Sequence, residues 1–196
     1  MSEFTSTPAL ERPLIRGAIA AVLLAAMFGG LALLQAFDDD GARTEELSSR
    51  GALDHNVPVR GEPAPDFELR TSEGELLTLS DLRGSVVWVN FWATWCRPCR
   101  RELPDIEKVY DEKHADGLEV LAVNYDETAS DARDYFDEVG LDLPMLLDSE
   151  GSVYDQYRLQ GLPDSFFIDR DGNIAAIQYG YLTEERMREL LADLGL

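Results

Sequence analysis

A chain of 196 residues with a formal net charge of −21 has room for one ordinary domain plus appendages. Such an excess of acid repels nucleic acid and anionic lipid headgroups, which excludes both as partners of its surface. Lys108 and Lys113 are the only lysines, so an acid-rich, lysine-poor exterior fits either adaptation to high salt or a merely solubilising surface.

Residues 1–16 lead into Gly17–Phe37, a run without formal charge and rich in Ala, Leu and Val. At ~1.5 Å per residue this run spans about 30 Å, the hydrocarbon core of a bilayer. Arg12 and Arg16 precede it and Asp38, Asp39 and Asp40 follow it. That asymmetry predicts a single-pass anchor over 17–37, with residues 1–16 cytoplasmic and the rest extracytoplasmic, periplasmic or on the outer face. A cleaved signal peptide competes, but it has a shorter apolar core and an A-x-A-like exit, where this run ends Leu34-Gln35-Ala36. Residues 38–61 are polar, lack periodicity and contain Pro58, as expected of a tether. Globular patterning starts at Glu62, giving a domain over 62–196.

Asp66–Arg70 and Leu76–Leu79 read as a hairpin around Ser72-Glu73-Gly74. Ser85–Trp92 is almost continuously apolar and β-prone, the pattern of a central strand buried on both faces. A helix is predicted from the cysteines to about Ala115, with Leu103, Ile106, Val109 and Tyr110 on one side and a kink at Pro104. Leu118–Asn124 follows as a strand. Thr128-Ala129-Ser130-Asp131 has capping-box form and opens a helix with Ala132, Tyr135, Phe136 and Val139 inward. Met145–Leu147 is a short strand, Ser152–Tyr157 a short helix, and Ser165–Asp169 with Ile174–Gln178 a second hairpin. Thr183 starts the last helix, with Leu182, Met187, Leu190, Leu191 and Leu194 inward. Strands alternating with helices predict a mixed α/β sheet.

Cys96 and Cys99 are the only cysteines, within Trp95-Cys96-Arg97-Pro98-Cys99 at a strand–helix junction. Closed zinc sites take four ligands, and this chain offers no second pair and only the isolated His55 and His114. A structural disulfide closing so short a loop restrains little of the unfolded chain. A thiolate at a helix N-terminus, by contrast, faces unpaired N–H groups and the positive end of the dipole. Dithiol–disulfide exchange is therefore the chemistry this pair predicts, with no metal and no cofactor beyond the disulfide itself. Two thiolates can also hold Cu(I), but no Met or His cluster accompanies them.

The strings APDFEL, LSDLRG, VNFWATWCRPCRRELP and GLPDSFFIDRDGNI resemble the membrane-anchored TlpA, ResA and CcmG (DsbE) branch of thioredoxin-like proteins over about residues 60–194. The resemblance implies a thioredoxin fold with an N-terminal β-hairpin extension and a strand–helix insertion around Thr128–Leu147. It implies a thiol–disulfide oxidoreductase, Cys96 the exposed attacking thiolate and Cys99 the buried resolving thiol, that reduces exported proteins such as apocytochrome c (CxxCH) in cytochrome c maturation. A membrane thiol carrier of the CcdA or DsbD kind would re-reduce it. Pro163 is implied to be cis after Leu162, whose backbone would face an extended substrate strand beside Cys96. Glu102 matches an acidic residue of the branch that would oppose thiolate formation and relay the Cys99 proton. Asn90 stands where ordinary thioredoxins carry a buried aspartate. Arg97, Arg100 and Arg101 would form a positive cluster that stabilises the thiolate. Trp95 is expected to be exposed toward substrate, and Trp88 and Trp92 in the core. Asp164, where many relatives have Thr, would put a carboxylate at the cis-proline edge and favour a basic or histidine-bearing client. The segment 61–84 also resembles the start of peroxiredoxins, so a thiol peroxidase is one alternative, and a general disulfide oxidase or isomerase another. Peroxidases place Thr three residues before the reactive cysteine, whereas Thr94 is two before Cys96.

Overall fold

The computed structural model describes residues 57–196. The proposed anchor at 17–37, the segment 1–16 and most of the tether lie outside the described residues. Among the described residues no helix is long and apolar enough to cross a membrane.

Two short strands, β1 (Glu68–Thr71) and β2 (Leu76–Thr78), form the N-terminal hairpin. The chain continues through β3 (Val86–Trp92), α1 (Arg97–Lys113), β4 (Leu118–Tyr125), α2 (Ala129–Val139), β5 (Met145–Asp148) and α3 (Ser152–Gln156). It ends with β6 (Asp164–Ile168), β7 (Ile174–Tyr179) and α4 (Glu184–Ala192). One sheet has the order β2-β1-β5-β4-β3-β6-β7, with β3, β4 and β5 parallel and every other neighbour antiparallel. This is the thioredoxin-like mixed sheet expected, with the hairpin added beside β5. The domain's contacts start slightly before Glu62: the Gly61 N–H donates to the Ile174 carbonyl at 2.8 Å.

All of β3 is buried, and its alternation divides the core. Val86, Trp88 and Trp92 face Leu103, Ile106, Val109, Met187 and Leu191 of α1 and α4. Val87, Val89 and Phe91 face the opposite layer, with Phe67, Leu79, Val153, Tyr157 and Phe166. Trp88 stacks on Phe167 and Trp92 on Phe136, each with ring centroids 4.9 Å apart. These two tryptophans are fully buried, as expected.

α1 runs uninterrupted through Pro104, which lies on the exposed side, where water can take the carbonyl that proline leaves without a donor. Thr128 caps α2 by accepting the Asp131 N–H at 3.2 Å. Val139 is exposed, contrary to the periodicity, because α2 ends immediately after it in the left-handed Gly140 and the apolar stripe has run out of partner.

Candidate redox site

The chain leaves β3 through a tight turn, Ala93-Thr94-Trp95-Cys96, closed by the Cys96 N–H on the Ala93 carbonyl at 3.1 Å. Cys96 is the N-cap of α1, and Arg97 and Pro98 are its first two helical residues. Proline costs nothing there, since the first-turn N–H groups have no helical acceptor anyway. Cys96 and Cys99 form a disulfide with Cα atoms 5.3 Å apart. The Cys99 N–H donates to Cys96 Sγ at 3.3 Å. A thiolate formed at Cys96 thus meets a helix N-terminal donor and the dipole together. In this disulfide form Cys96 is 4% and Cys99 1% accessible: Cys96 is buried rather than exposed as expected, because its sulfur is turned onto Cys99 Sγ and the Cys99 N–H.

The expected arginine cluster is splayed. Arg100 lies over the Tyr135 ring and Arg101 over the Tyr181 ring, each 5.0 Å from the centroid. Cation–π contact on two different walls draws both guanidinium groups aside, leaving Arg97 exposed on the first turn.

Glu102, one helical turn past Cys99, is 1% accessible. Its Oε1 accepts from Asn90 Nδ2 at 3.1 Å and its Oε2 from the Leu182 N–H at 2.8 Å. Burial raises its pKa to about 7; these two bonds pull the other way, and Asp105 and Asp164 add to the rise. Asn90 is itself buried on β3 and also donates to Ser165 Oγ at 3.1 Å. Ser165 Oγ accepts the Trp88 indole N–H at 2.9 Å as well. A polar chain through β3, β6 and α1 thereby reaches the loop before α4.

Leu162–Pro163 is cis. Leu162 packs against the core layer containing Cys96 and Cys99, and the Pro163 carbonyl accepts the Gly180 N–H at 2.8 Å. Asp164 departs from expectation. It is 4% accessible rather than projecting at the edge, because its Oδ1 turns inward to accept the same Gly180 N–H at 3.0 Å. Burial raises its pKa to about 6 despite that bond. It forms part of the floor of an open groove lined by Gln160, Leu162, Pro163, Tyr179 and Gly180. Trp95 is 63% exposed, as expected of a ring presented to a partner. Tyr179 on the groove's wall is equally exposed.

Ser165 and Glu127 escaped the sequence reading. Glu127 accepts from the Thr94 N–H at 2.8 Å, from the Thr94 hydroxyl, and from Asn124 Nδ2 at 2.7 Å. Among the described residues no group of acidic, histidine or cysteine side chains is placed to hold a metal.

Comparison with known proteins agrees with this geometry. The AhpC/TSA family profile matches residues 60–177. The thiol-disulfide oxidoreductase ResA of Halalkalibacterium halodurans is 36% identical over 138 residues, covering 70% of this chain and 78% of that protein. The thioredoxin-like protein YneN of Bacillus subtilis is 40% identical over 134 residues, covering 67% and 78%. Among solved structures, a putative thiol:disulfide interchange protein DsbE from Chlorobium tepidum superposes with a TM-score of 0.66 at 33% identity, covering 70% of this chain and 98% of that one. StoA from Bacillus subtilis gives 0.58 at 30% identity, covering 66% and 97%. The chain belongs to the AhpC/TSA family and, within it, to the thioredoxin-like thiol–disulfide oxidoreductases of the ResA type.

Proposed function

We propose that this oxidoreductase is an anchored, extracytoplasmic reductant of disulfides in exported proteins, with the CxxCH segment of apocytochrome c as its client. The observation that carries the reading is Glu102, a buried carboxyl poised near neutrality one turn beyond Cys99. Once ionised, it disfavours negative charge on the neighbouring sulfurs. A site that destabilises its own reduced form holds electrons weakly and passes them on, the reverse of DsbA, whose reduced form is stabilised.

In the proposed cycle the Cys96 thiolate attacks one sulfur of the client disulfide, forming a mixed disulfide and expelling the client's other sulfur as a thiolate, which takes a proton. Glu102 accepts the Cys99 proton. Cys99 then attacks Cys96 Sγ, closing the Cys96–Cys99 disulfide and releasing the client's second thiol. Two electrons have moved to the client, and a membrane thiol carrier of the CcdA or DsbD kind restores the dithiol. Trp95 and Leu162 would line the client's path, with Asp164 acting from the groove floor on a basic or histidine-bearing segment. The anchor is proposed from the uncharged run 17–37 and its flanking charges. A peroxidase is the weaker reading, since the Thr94 hydroxyl donates to Glu127.

The test is the reduction potential of the full chain equilibrated against glutathione, followed by trapping with Cys99→Ser. A potential more reducing than the glutathione pool is expected, together with a stable mixed disulfide to an oxidised CxxCH peptide. A potential near that of DsbA, about −120 mV, overturns the reductant assignment. Failure to trap the peptide overturns the client.

A further inference from the structure

Glu127 sits outside the CxxC motif and outside the Asn90–Glu102–Ser165 network, yet it grips the turn that delivers Cys96. It lies between β4 and α2, directly after Asp126, whose φ of 55° is left-handed, a conformation non-glycine residues rarely adopt. That backbone is pinned from the end of β5: the Asp126 N–H donates to the Asp148 carbonyl at 3.1 Å, and Ser149 Oγ to the Glu127 carbonyl at 2.9 Å. So mounted, the carboxylate takes both Thr94 donors and the Asn124 amide. Thr94 is the second residue of the turn, Trp95 the third and Cys96 the fourth. Fixing Thr94 therefore fixes both the exposed Trp95 ring and the direction of Cys96 Sγ toward the Cys99 N–H.

We propose that Glu127 is a positioning residue for the redox pair, holding the Ala93–Cys96 turn so that Cys96 Sγ stays on the helix N-terminus and Trp95 stays beside it. This rests on Cys96 being the attacking thiol. The proposal is separable from a simple charge effect, because the two have opposite signs. A carboxylate acting only through its charge disfavours the Cys96 thiolate, so removing it would lower the thiol pKa and speed attack. A carboxylate that holds the turn does the reverse, since losing it lets Sγ leave its donor. Of the charged groups on the elements around the pair, Arg97 at the start of α1, Glu102 further along α1 and Asp164 on β6 are all retained.

The experiment measures the rate at which the reduced full chain attacks a small aromatic disulfide between pH 5 and 9. Glu127→Ala, Glu127→Gln, Thr94→Val and the double variant Glu127→Ala/Thr94→Val are compared with the unmodified chain. Charge-assisted hydrogen bonds of this kind lead us to expect about a tenfold loss at pH 7 for Glu127→Ala, with the pH profile displaced upward, and about a threefold loss for Thr94→Val, which gives up the hydroxyl bond and keeps the backbone N–H bond. Glu127→Gln should stay within about threefold: its carbonyl, in the place of Oε2, keeps both the Thr94 N–H and the Asn124 amide, and its own amide, in the place of Oε1, can donate to the Thr94 hydroxyl oxygen. The double variant should be no slower than the slower single one. Attack by Glu127→Ala as fast as or faster than the unmodified chain overturns the proposal, as does Glu127→Gln falling as far as Glu127→Ala. Multiplicative losses in the double variant also overturn it. If Glu127→Ala fails to fold, Thr94→Val and Glu127→Gln decide. An unmodified chain inert toward the probe would overturn the redox reading itself, whereas a reactive one with charge-like variants overturns only the positioning role.

Discussion

Replacing Glu102 with glutamine keeps the shape of the side chain and removes its proton-binding site. The carboxyl pKa stands at about 7 in the folded protein against an ordinary 4.5, chiefly because burial penalises the charge. A carboxyl raised in this way binds its proton more tightly folded than unfolded. Its contribution to stability is fully present below about pH 4.5 and is lost as pH rises toward about 7. At 1.36 kcal/mol per pH unit, the loss between pH 4 and pH 8 comes to about 3 kcal/mol. Glutamine carries no such loss. Its carbonyl still accepts the Leu182 N–H, and its amide N–H can donate to Asn90 Oδ1 once the Asn90 amide turns over, with the Ser165 hydroxyl then donating to that same oxygen. Urea unfolding of the oxidised chain, followed by tryptophan fluorescence, gives the two stabilities at each pH. Glu102→Gln should match the unmodified protein near pH 4 and exceed it by about 3 kcal/mol at pH 8. A difference that stays constant within about 0.5 kcal/mol from pH 4 to pH 8 would refute the claim that ionising Glu102 works against the fold.

Asp164→Asn should likewise flatten the pH dependence of stability, between about pH 3.8 and about pH 6, and leave the protein more stable at neutral pH; the same urea series checks it. Gly151→Ala should destabilise the domain by about 1–2 kcal/mol, measured by urea unfolding. Gly151 has φ of 70°, and a Cβ there would lie 2.9 Å from the Tyr125 ring, which stacks on Tyr154.

The sequence discloses whatever follows from strong, local periodicity. β3 is legible because seven successive residues are buried and nearly all are apolar, and the cysteines are legible because their spacing and the strand–helix junction carry their own chemistry. Glu102 is legible through resemblance, although its bond to Leu182 spans 80 residues of sequence. Glu127 is not legible. In a chain so rich in acid, one more carboxylate in a loop carries no signal, and its role depends on the left-handed backbone at Asp126 and on contacts with Asp148 and Ser149. Arg100 and Arg101 mislead for a related reason. Proximity to cysteine in sequence predicts a shared field, but aromatic faces on neighbouring elements compete for the guanidinium groups and win. Asp164 misleads because an acid directly after proline reads as an edge group, whereas its place on β6 and the Gly180 N–H draw it inside.

The segment leading into β3 also decides where the sheet ends. Gly61 and Glu62 exchange backbone hydrogen bonds with Ile174, and Pro63 bridges Asn173, so one part of it lies along the start of β7 at one margin. Less than ten residues later the same segment becomes β1 and pairs with β5 toward the other margin, leaving the three-residue β2 outermost. A sheet with bare strands recruits other chains through its unpaired amides and carbonyls. Here a single stretch covers β5 and the start of β7, so trimming the protein back to β3 would not yield a smaller, simpler oxidoreductase. It would lay open β5 along its length and β7 at its beginning, and turn a self-contained sheet into a template for association.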